Sequence, residues 1–285
     1  MILSMTGYGK SELQLPTKKI TIEIKSLNSK NLDLGVRIPS YYREKELELR
    51  KNIAKTLVRG KIDFSIYIET IGVNLSSQIN KQAVRSYMDQ LKEVSAATDI
   101  ELMKMAMKLP ETLQSKRESI DETEWSQIEN SINDALINIV KYRKDEGEVL
   151  KQDFSKRITL INERLQDVIA IDPQRISNVK ERLYKAVSEL EAKVDENRFE
   201  QELIYYLEKF DITEEKVRLK NHLDYFIDAL NSEDSNGKKL GFITQEIGRE
   251  INTIGSKANF AEMQKLVVQM KDELEKIKEQ NLNVL

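Results

Sequence analysis

The 285-residue chain contains no cysteine and a single histidine, His222. Disulfides, thiolate metal sites and a cysteine nucleophile are therefore excluded. A zinc centre of the usual His/Cys kind has no ligand set to draw on. Any metal would have to be a hard cation, Mg²⁺ or Mn²⁺, held by carboxylates and water. No run of about 18 apolar residues occurs, and no basic segment followed by an apolar stretch opens the chain. The expected location is accordingly cytoplasmic, with no membrane partner. A glycine-rich phosphate loop, a nucleophile elbow and an HExxH helix are all missing, which removes the common nucleotide-binding and hydrolase classes.

What the chain has in quantity is charge, at 33% of residues with a net value of −3. The balance is uneven. Residues 1–70 carry 13 Lys/Arg against 8 Asp/Glu, and the remainder carries 32 against 40. A basic module joined to an acidic one suits a nucleic-acid groove beside a carboxylate cluster; ordinary fluctuation of charge gives the same totals.

The length allows a real core and more than one domain. Ile20, Ile22 and Ile24 alternate with polar residues, as do Leu32, Leu34, Val36 and Ile38 beyond a turn at residues 28–31. This pattern predicts two strands paired as a hairpin. Residues 41–58 have helical periodicity, with Gly60 placed for a helix C-terminus, and Ile62 to Ile68 form a further strand. The opening MILSMTGYGKSEL reads as a strand in which Gly7 and Gly9 bulge or admit a close neighbour. From about residue 80 glycine is scarce, and after Pro110 only Pro173 interrupts. A long helix is expected over 121–171, with 175–195 as its antiparallel partner. Residues 260–279 make a last amphipathic helix whose Met263, Leu266, Val267, Met270 and Leu274 serve core or oligomer interface. The predicted class is α+β: an N-terminal antiparallel sheet with a packed helix, a mostly α-helical region with long helices, and a C-terminal helical domain. The expected boundaries are 1–75, 76–200 and 201–285.

The stretch 241–257, GFITQEIGREINTIGSK, divides into three helical faces. Leu240, Ile243, Ile247, Ile251 and Ile254 form a core stripe. Glu246, Arg249, Glu250, Thr253 and Lys257 form a second face. Gln245, Asn252 and Ser256 form a third, flanked by Gly241, Gly248 and Gly255. A helical glycine costs about 1 kcal/mol against alanine, so three on one side ask for a close backbone or a ligand. Upstream, Asp211 is placed to cap a helix with Glu214 three residues on, and Glu215, Arg218 and His222 share a face. A short polar linker makes the two helices an antiparallel hairpin that brings Glu215, His222, Glu246 and Glu250 together. The same pattern is also what i,i+4 ion pairing on exposed helices produces. Arg143, Glu146 and Gly147 form a third patch, where the glycine marks a kink, a break or a functional need.

These patches carry a family resemblance. Ser4-Met5-Thr6-Gly7-Tyr8-Gly9, Glu23 to Lys30, Arg59-Gly60-Lys61-Ile62-Asp63, Arg143-x-x-Glu146-Gly147-x-x-Leu150, Asp211 to His222, and Gln245 to Lys257 follow one another as in the YicC family, also called YloC-like. The resemblance spans the chain. It departs at Leu32, where the family often has an aromatic followed by leucine, and this puts a local packing or RNA-stacking contact in doubt. The chain is similar to proteins that are metal-dependent endoribonucleases assembled as homo-hexamers, so the resemblance implies RNA as substrate and a divalent cation, Mg²⁺ or Mn²⁺. On that reading Glu246, Glu250, Glu215 and Asp211 are the metal candidates. His222, Arg218, Arg249 and Lys257 are the catalytic candidates. Lys25, Lys30, Arg59, Lys61, Arg143 and Asn252 are the RNA contacts. A reading from another class is an oligomeric RNA-binding adaptor that presents RNA to other RNA-decay enzymes.

Overall fold

The computed structural model describes residues 2–71, 77–115, 120–189, 196–233 and 235–285. The expected boundary at 75/76 and the last residues of the 175–195 segment lie outside them.

Four strands form the N-terminal sheet: β1 (Gly7–Gln14), β2 (Lys18–Leu27), β3 (Leu32–Arg37) and β4 (Gly60–Thr70), in the order β1-β2-β4-β3. The α+β class is as expected, but the β2–β3 hairpin is not formed. Both edges of β2 are taken by antiparallel partners, β1 and β4. β3 instead pairs in parallel with β4, Leu34 opposite Ile62. The crossover is a 3₁₀ turn, Ser40–Lys45, followed by α1 (Glu46–Leu57). Parallel pairing needs such a crossover, and residues 41–57 supply it. Ile20, Ile22, Ile24, Ile62 and Phe64 are buried on one face of the sheet, under Tyr42, Leu49 and Ile53. Gly60 does not end the helix. Val58 takes the positive φ of 52° after α1, and Gly60 (φ 122°) opens β4.

Residues 77–115 form a small unit: β5 (Ser77–Ile79) paired with β6 (Leu113–Ser115), and α2 (Lys81–Val94) packed on α3 (Asp99–Ala106).

The organising element is α4, one helix from Glu122 to Ser188. Its 67 residues make it about 100 Å long. Pro173 lies inside it rather than at its end, so the expected antiparallel helix from 175 is absent. A proline removes one backbone donor and crowds the preceding turn. Here the turn is held from the side by Asp172, which accepts from Arg175 Nε at 2.7 Å and from Lys216 Nζ at 2.7 Å. The first half of α4 covers the sheet through Trp125, Ile128, Ile132, Ala135 and Ile139. The second half, through Phe154, Ile158, Ile161, Leu165 and Val168, enters a different core. That core is built with α6 (Thr213–Leu230), α7 (Gly237–Lys257) and α8 (Ala261–Asn281); α5 (Glu196–Lys209) precedes them.

Met263, Val267, Met270 and Leu274 of α8 are buried in this core by the chain's own helices, so the stripe is core and not a free interface. The glycines of α7 admit α8: a Cβ at Gly241, Gly248 or Gly255 would stand 3.0–3.1 Å from Asn281, Leu274 or Val267.

Between the two halves, the start of the chain crosses α4. Ser4 N donates to the Arg143 carbonyl at 3.0 Å, and Thr6 Oγ1 donates to Glu146 at 2.6 Å. A Cβ on Gly147 would stand 2.1 Å from the Ile2 carbonyl oxygen. The glycine therefore admits a crossing backbone, and the helix runs through it without a break. In an unobstructed helix Gly→Ala is stabilising by about 1 kcal/mol. Here Gly147→Ala is expected to destabilise by about 1–3 kcal/mol, the usual effect of overpacking. A urea or thermal melt that shows the variant equal to or more stable than wild type overturns this account of the crossing.

Candidate functional site

The helices α6 and α7 lie antiparallel, and one ion pair sets their register. Lys257 Nζ donates to Glu215 Oε1 at 2.7 Å and to the Asp211 carbonyl at 2.9 Å, tying the last turn of α7 to the first of α6. Running the register back from Glu215 opposite Lys257 sets His222 opposite Glu250, with Glu246 one turn further along. The structure brings these three together: one ligand atom from each of His222, Glu246 and Glu250 lies within 4.8 Å of the others. Their exposures differ in a useful way. Glu250 is only 4% exposed, His222 is intermediate, and Glu246 is open to solvent.

A buried carboxylate ordinarily has a cation beside it. Among the described residues Glu250 has no ion-pair partner. Lys257 is engaged by Glu215, and Arg218 by Glu214 one turn before it on α6. Two carboxylates and an imidazole, one carboxylate buried and unpaired, are a donor set that a hard divalent cation accepts. The ion-pairing alternative for the Glu246/Glu250 face finds no support in the contacts made.

The other expected metal candidates do different work. Asp211 Oδ1 accepts from Thr213 N and Oγ1 at 3.1 and 2.7 Å, which holds its carboxylate below the usual range. Thus it does brace the start of α6. However, the residue at the N-cap position is Ile212, and Glu214 turns to Arg218, so no capping box forms. Glu215, 6% exposed, is the carboxylate of the Lys257 pair, and its second oxygen is buried without a hydrogen-bond partner. Arg249 and Asn252 are exposed on α7, adjoining the cluster in sequence.

The expected RNA contacts fall into three places. Lys25 and Lys61 stand on the outer face of the sheet, opposite the isoleucine core. Lys25 is held by Glu23 at 3.2 Å and lies over the Tyr8 ring. Lys30 and Arg59 stand at the end of the sheet and line a cleft of about 490 Å³, whose other wall is the start of α7 with Lys238, Phe242 and Gln245. The two walls are held together by the chain ends: Met5 N donates to the Asn283 carbonyl, Leu285 N to that of Leu3, and Gly237 N to that of Leu285.

Arg143 is in a third place, the interior. It is 2% exposed, and its guanidinium donates to the carbonyls of Leu57, Met5 and Arg59 and to Ser26 Oγ. Burial lowers the basicity of this group, which has no carboxylate partner among the described residues. It is a strut under the Val58–Gly60 turn and does not face a binding surface.

Sequence reasoning missed Phe242 and Lys238. Phe242 had a visible signal: it lies about 200° round the helix from Leu240, an apolar ring on the polar side.

Comparison with known proteins finds relatives that match the chain from end to end. The family described as "Endoribonuclease YicC-like, N-terminal region" matches residues 2–152, and "Endoribonuclease YicC-like, C-terminal" matches residues 168–285. A protein of Clostridioides difficile (strain 630) named "Probable endoribonuclease YicC" is 34% identical over 298 residues, covering 100% of both chains. A protein of Haemophilus influenzae with the same name is 28% identical over 289 residues, again covering 100% of both. With both halves matched in order, and α4 running across the junction between them, the chain belongs to the YicC-like endoribonuclease family.

Proposed function

We propose that the protein is a metal-dependent endoribonuclease whose site is the His222/Glu246/Glu250 cluster. The observation that carries this reading is the convergence of those three side chains around a buried carboxylate without a cation partner, in a member of this family. Glu246 and Glu250 would hold Mg²⁺ or Mn²⁺, with His222 Nδ1 or Nε2 as the third ligand. When bound, the cation supplies Lewis-acid polarisation of a phosphate oxygen and a more acidic water.

The chain's own groups do the rest. His222, when not a ligand, is placed to accept or return a proton at the reacting oxygen. Arg249, exposed and adjacent to Glu250, is placed to steady charge that develops on the phosphate. Lys257 and Arg218 act at one remove, through Glu215 and Glu214. Lys30, Arg59 and Lys238 would follow the phosphodiester backbone into the cleft beside α7, and Lys25 and Lys61 would meet it on the sheet.

The homo-hexamer implied by the resemblance is part of the proposal, supported by a surface other than the buried α8 stripe. The small unit of residues 77–115 leaves Val94 (86%) and Ile100 (64%) open, together with Ile79, Met103, Met105 and Leu113. Apolar area of that kind is commonly covered by another copy.

Three outcomes are expected. Glu250→Gln keeps the shape of the side chain and removes its charge. It should lower Mn²⁺-dependent cleavage of a labelled RNA by at least about a hundredfold, more than loss of an outer-shell partner does, while the melting temperature and RNA affinity stay close to wild type. A variant that cleaves normally at limiting Mn²⁺, or a wild type that cleaves equally well in EDTA, ends the case; RNA binding without any cleavage would favour the adaptor. Lys30→Ala should lower the salt slope of RNA binding by about 0.7, one single-strand phosphate contact, and Lys25→Ala should lower it less because Glu23 already holds that ammonium. Equal slopes for wild type and Lys30→Ala would move the track elsewhere. Sedimentation should show a closed oligomer at micromolar concentration, dispersed by Val94→Asp with Ile100→Asp; a wild-type monomer sinks that part.

A further inference from the structure

Phe242 is the one phenylalanine among the described residues that is exposed, at 69%. It sits on α7 with Gln245, Glu246 and Arg249 at i+3, i+4 and i+7, and so shares the face that carries the cluster. Its ring lies in the wall of the cleft whose cations are Lys30, Arg59 and Lys238. Among the described residues neither Lys30 nor Lys238 has an ion-pair partner, and Arg59 is oriented by donation from Nε to the Ser29 carbonyl at 3.0 Å. An open aromatic ring among unpaired cations is the arrangement that holds single-stranded nucleic acid: the base lies on the ring and the phosphates on the cations.

We propose that Phe242 is a stacking platform for the base next to the phosphate cut at the cluster, and that it sets a cleavage preference for a purine there. The position follows from the helix. Phe242 precedes Glu246 by four residues, about 6 Å along the axis, within the span of one nucleotide. The preference follows from ring size, because weak sequence selection in such sites comes from stacking strength and not from base-edge hydrogen bonds. This inference rests on the proposed function for the location of the cut; the stacking itself does not.

The test separates the two. The probe is a fluorescein-labelled single-stranded RNA 12-mer of mixed sequence with 2-aminopurine at one position, titrated in EDTA and again in Mn²⁺. Phe242→Leu should weaken binding about tenfold under both conditions, the usual effect of losing one stacked base, and should restore the 2-aminopurine fluorescence that wild type quenches. Phe242→Trp should bind at least as tightly as wild type. An abasic nucleotide at a single position should erase the difference between wild type and Phe242→Leu. Mapping cut sites on a random-sequence RNA should show a purine flanking the cut for wild type and a flattened profile for Phe242→Leu. Wild-type affinity in Phe242→Leu, with cleavage intact, overturns this inference and leaves the proposed function standing. Weakened binding by Phe242→Leu of a protein that never cleaves supports the platform and overturns the hydrolytic reading. A change in oligomer size with RNA affinity unchanged also overturns it, by making Phe242 a contact between copies.

Discussion

The fold depends on one close crossing, where the first residues of the chain pass over the middle of α4. Two backbones can approach so nearly only where side chains are missing, and the glycines are placed to allow it. A Cβ on Gly147 would meet the Ile2 carbonyl, and one on Gly9 would stand 2.2 Å from the Ala135 carbonyl. Most of the polar groups at the crossing are matched as well. Glu146 takes the Thr6 hydroxyl, and Arg143 takes the Met5 carbonyl along with three acceptors from β2, α1 and the turn before β4. The Ser4–Gly9 and Arg143–Gly147 motifs are thus two sides of one joint. A buried guanidinium with no counter-ion among the described residues is costly unless its donors are met; Nη1 and Nη2 are met here, while Nε is buried without a partner. The two bonds to the Leu57 and Arg59 carbonyls also brace Val58 between them, at a φ that β-branched residues rarely adopt.

From this joint the site follows. Because α4 is continuous through Gly147, the sheet core and the C-terminal helical core are carried on one rod. The chain ends pair beside the start of α7 and place the Asn28–Lys30 and Arg59 loops against it. The cluster itself needs only α6 and α7, whose register comes from Glu215 and Lys257. The proposed binding groups thus come from both halves and the candidate ligands from one.

How much of this was legible varied with the physics behind each element. The α6, α7 and α8 stripes were readable because each helix is amphipathic and its burial is set by its own period. The α6–α7 hairpin followed from a short linker, and with it the meeting of His222, Glu246 and Glu250. The pairing of β3 was not readable, since alternation marks a strand but says nothing about which edge is free. Pro173 was read as a stop because local rules see the missing donor and not the Asp172–Arg175–Lys216 cluster that braces the turn. Arg143 looked like a surface cation because its acceptors are backbone carbonyls, which leave no mark in sequence. The Met/Leu stripe of α8 was ambiguous between core and interface until the α7 glycines showed how closely that helix packs.

The four candidate carboxylates, Asp211 just before α6, Glu215 on it, and Glu246 and Glu250 on α7, show how environment divides one kind of group into different tasks. Asp211 braces a helix start, and hydrogen bonds from Thr213 fix it as an acceptor. Glu215 is buried and satisfied on one oxygen by Lys257; removing either partner of a buried pair costs about 3–5 kcal/mol, less here because Lys257 is one-third exposed. That pair belongs to the folded state whether or not a ligand is present, so its loss should be read first as a loss of register. Glu250 is as buried as Glu215, yet of the cations on its own face Lys257 is committed to Glu215 and, among the described residues, Arg249 makes no ion pair with it; its neighbours are another carboxylate and an imidazole. An arrangement that concentrates negative charge without neutralising it is unfavourable in isolation. A divalent cation would relieve it, which is the physical reason for proposing chemistry at Glu246 and Glu250 while Asp211 and Glu215 make structural contacts.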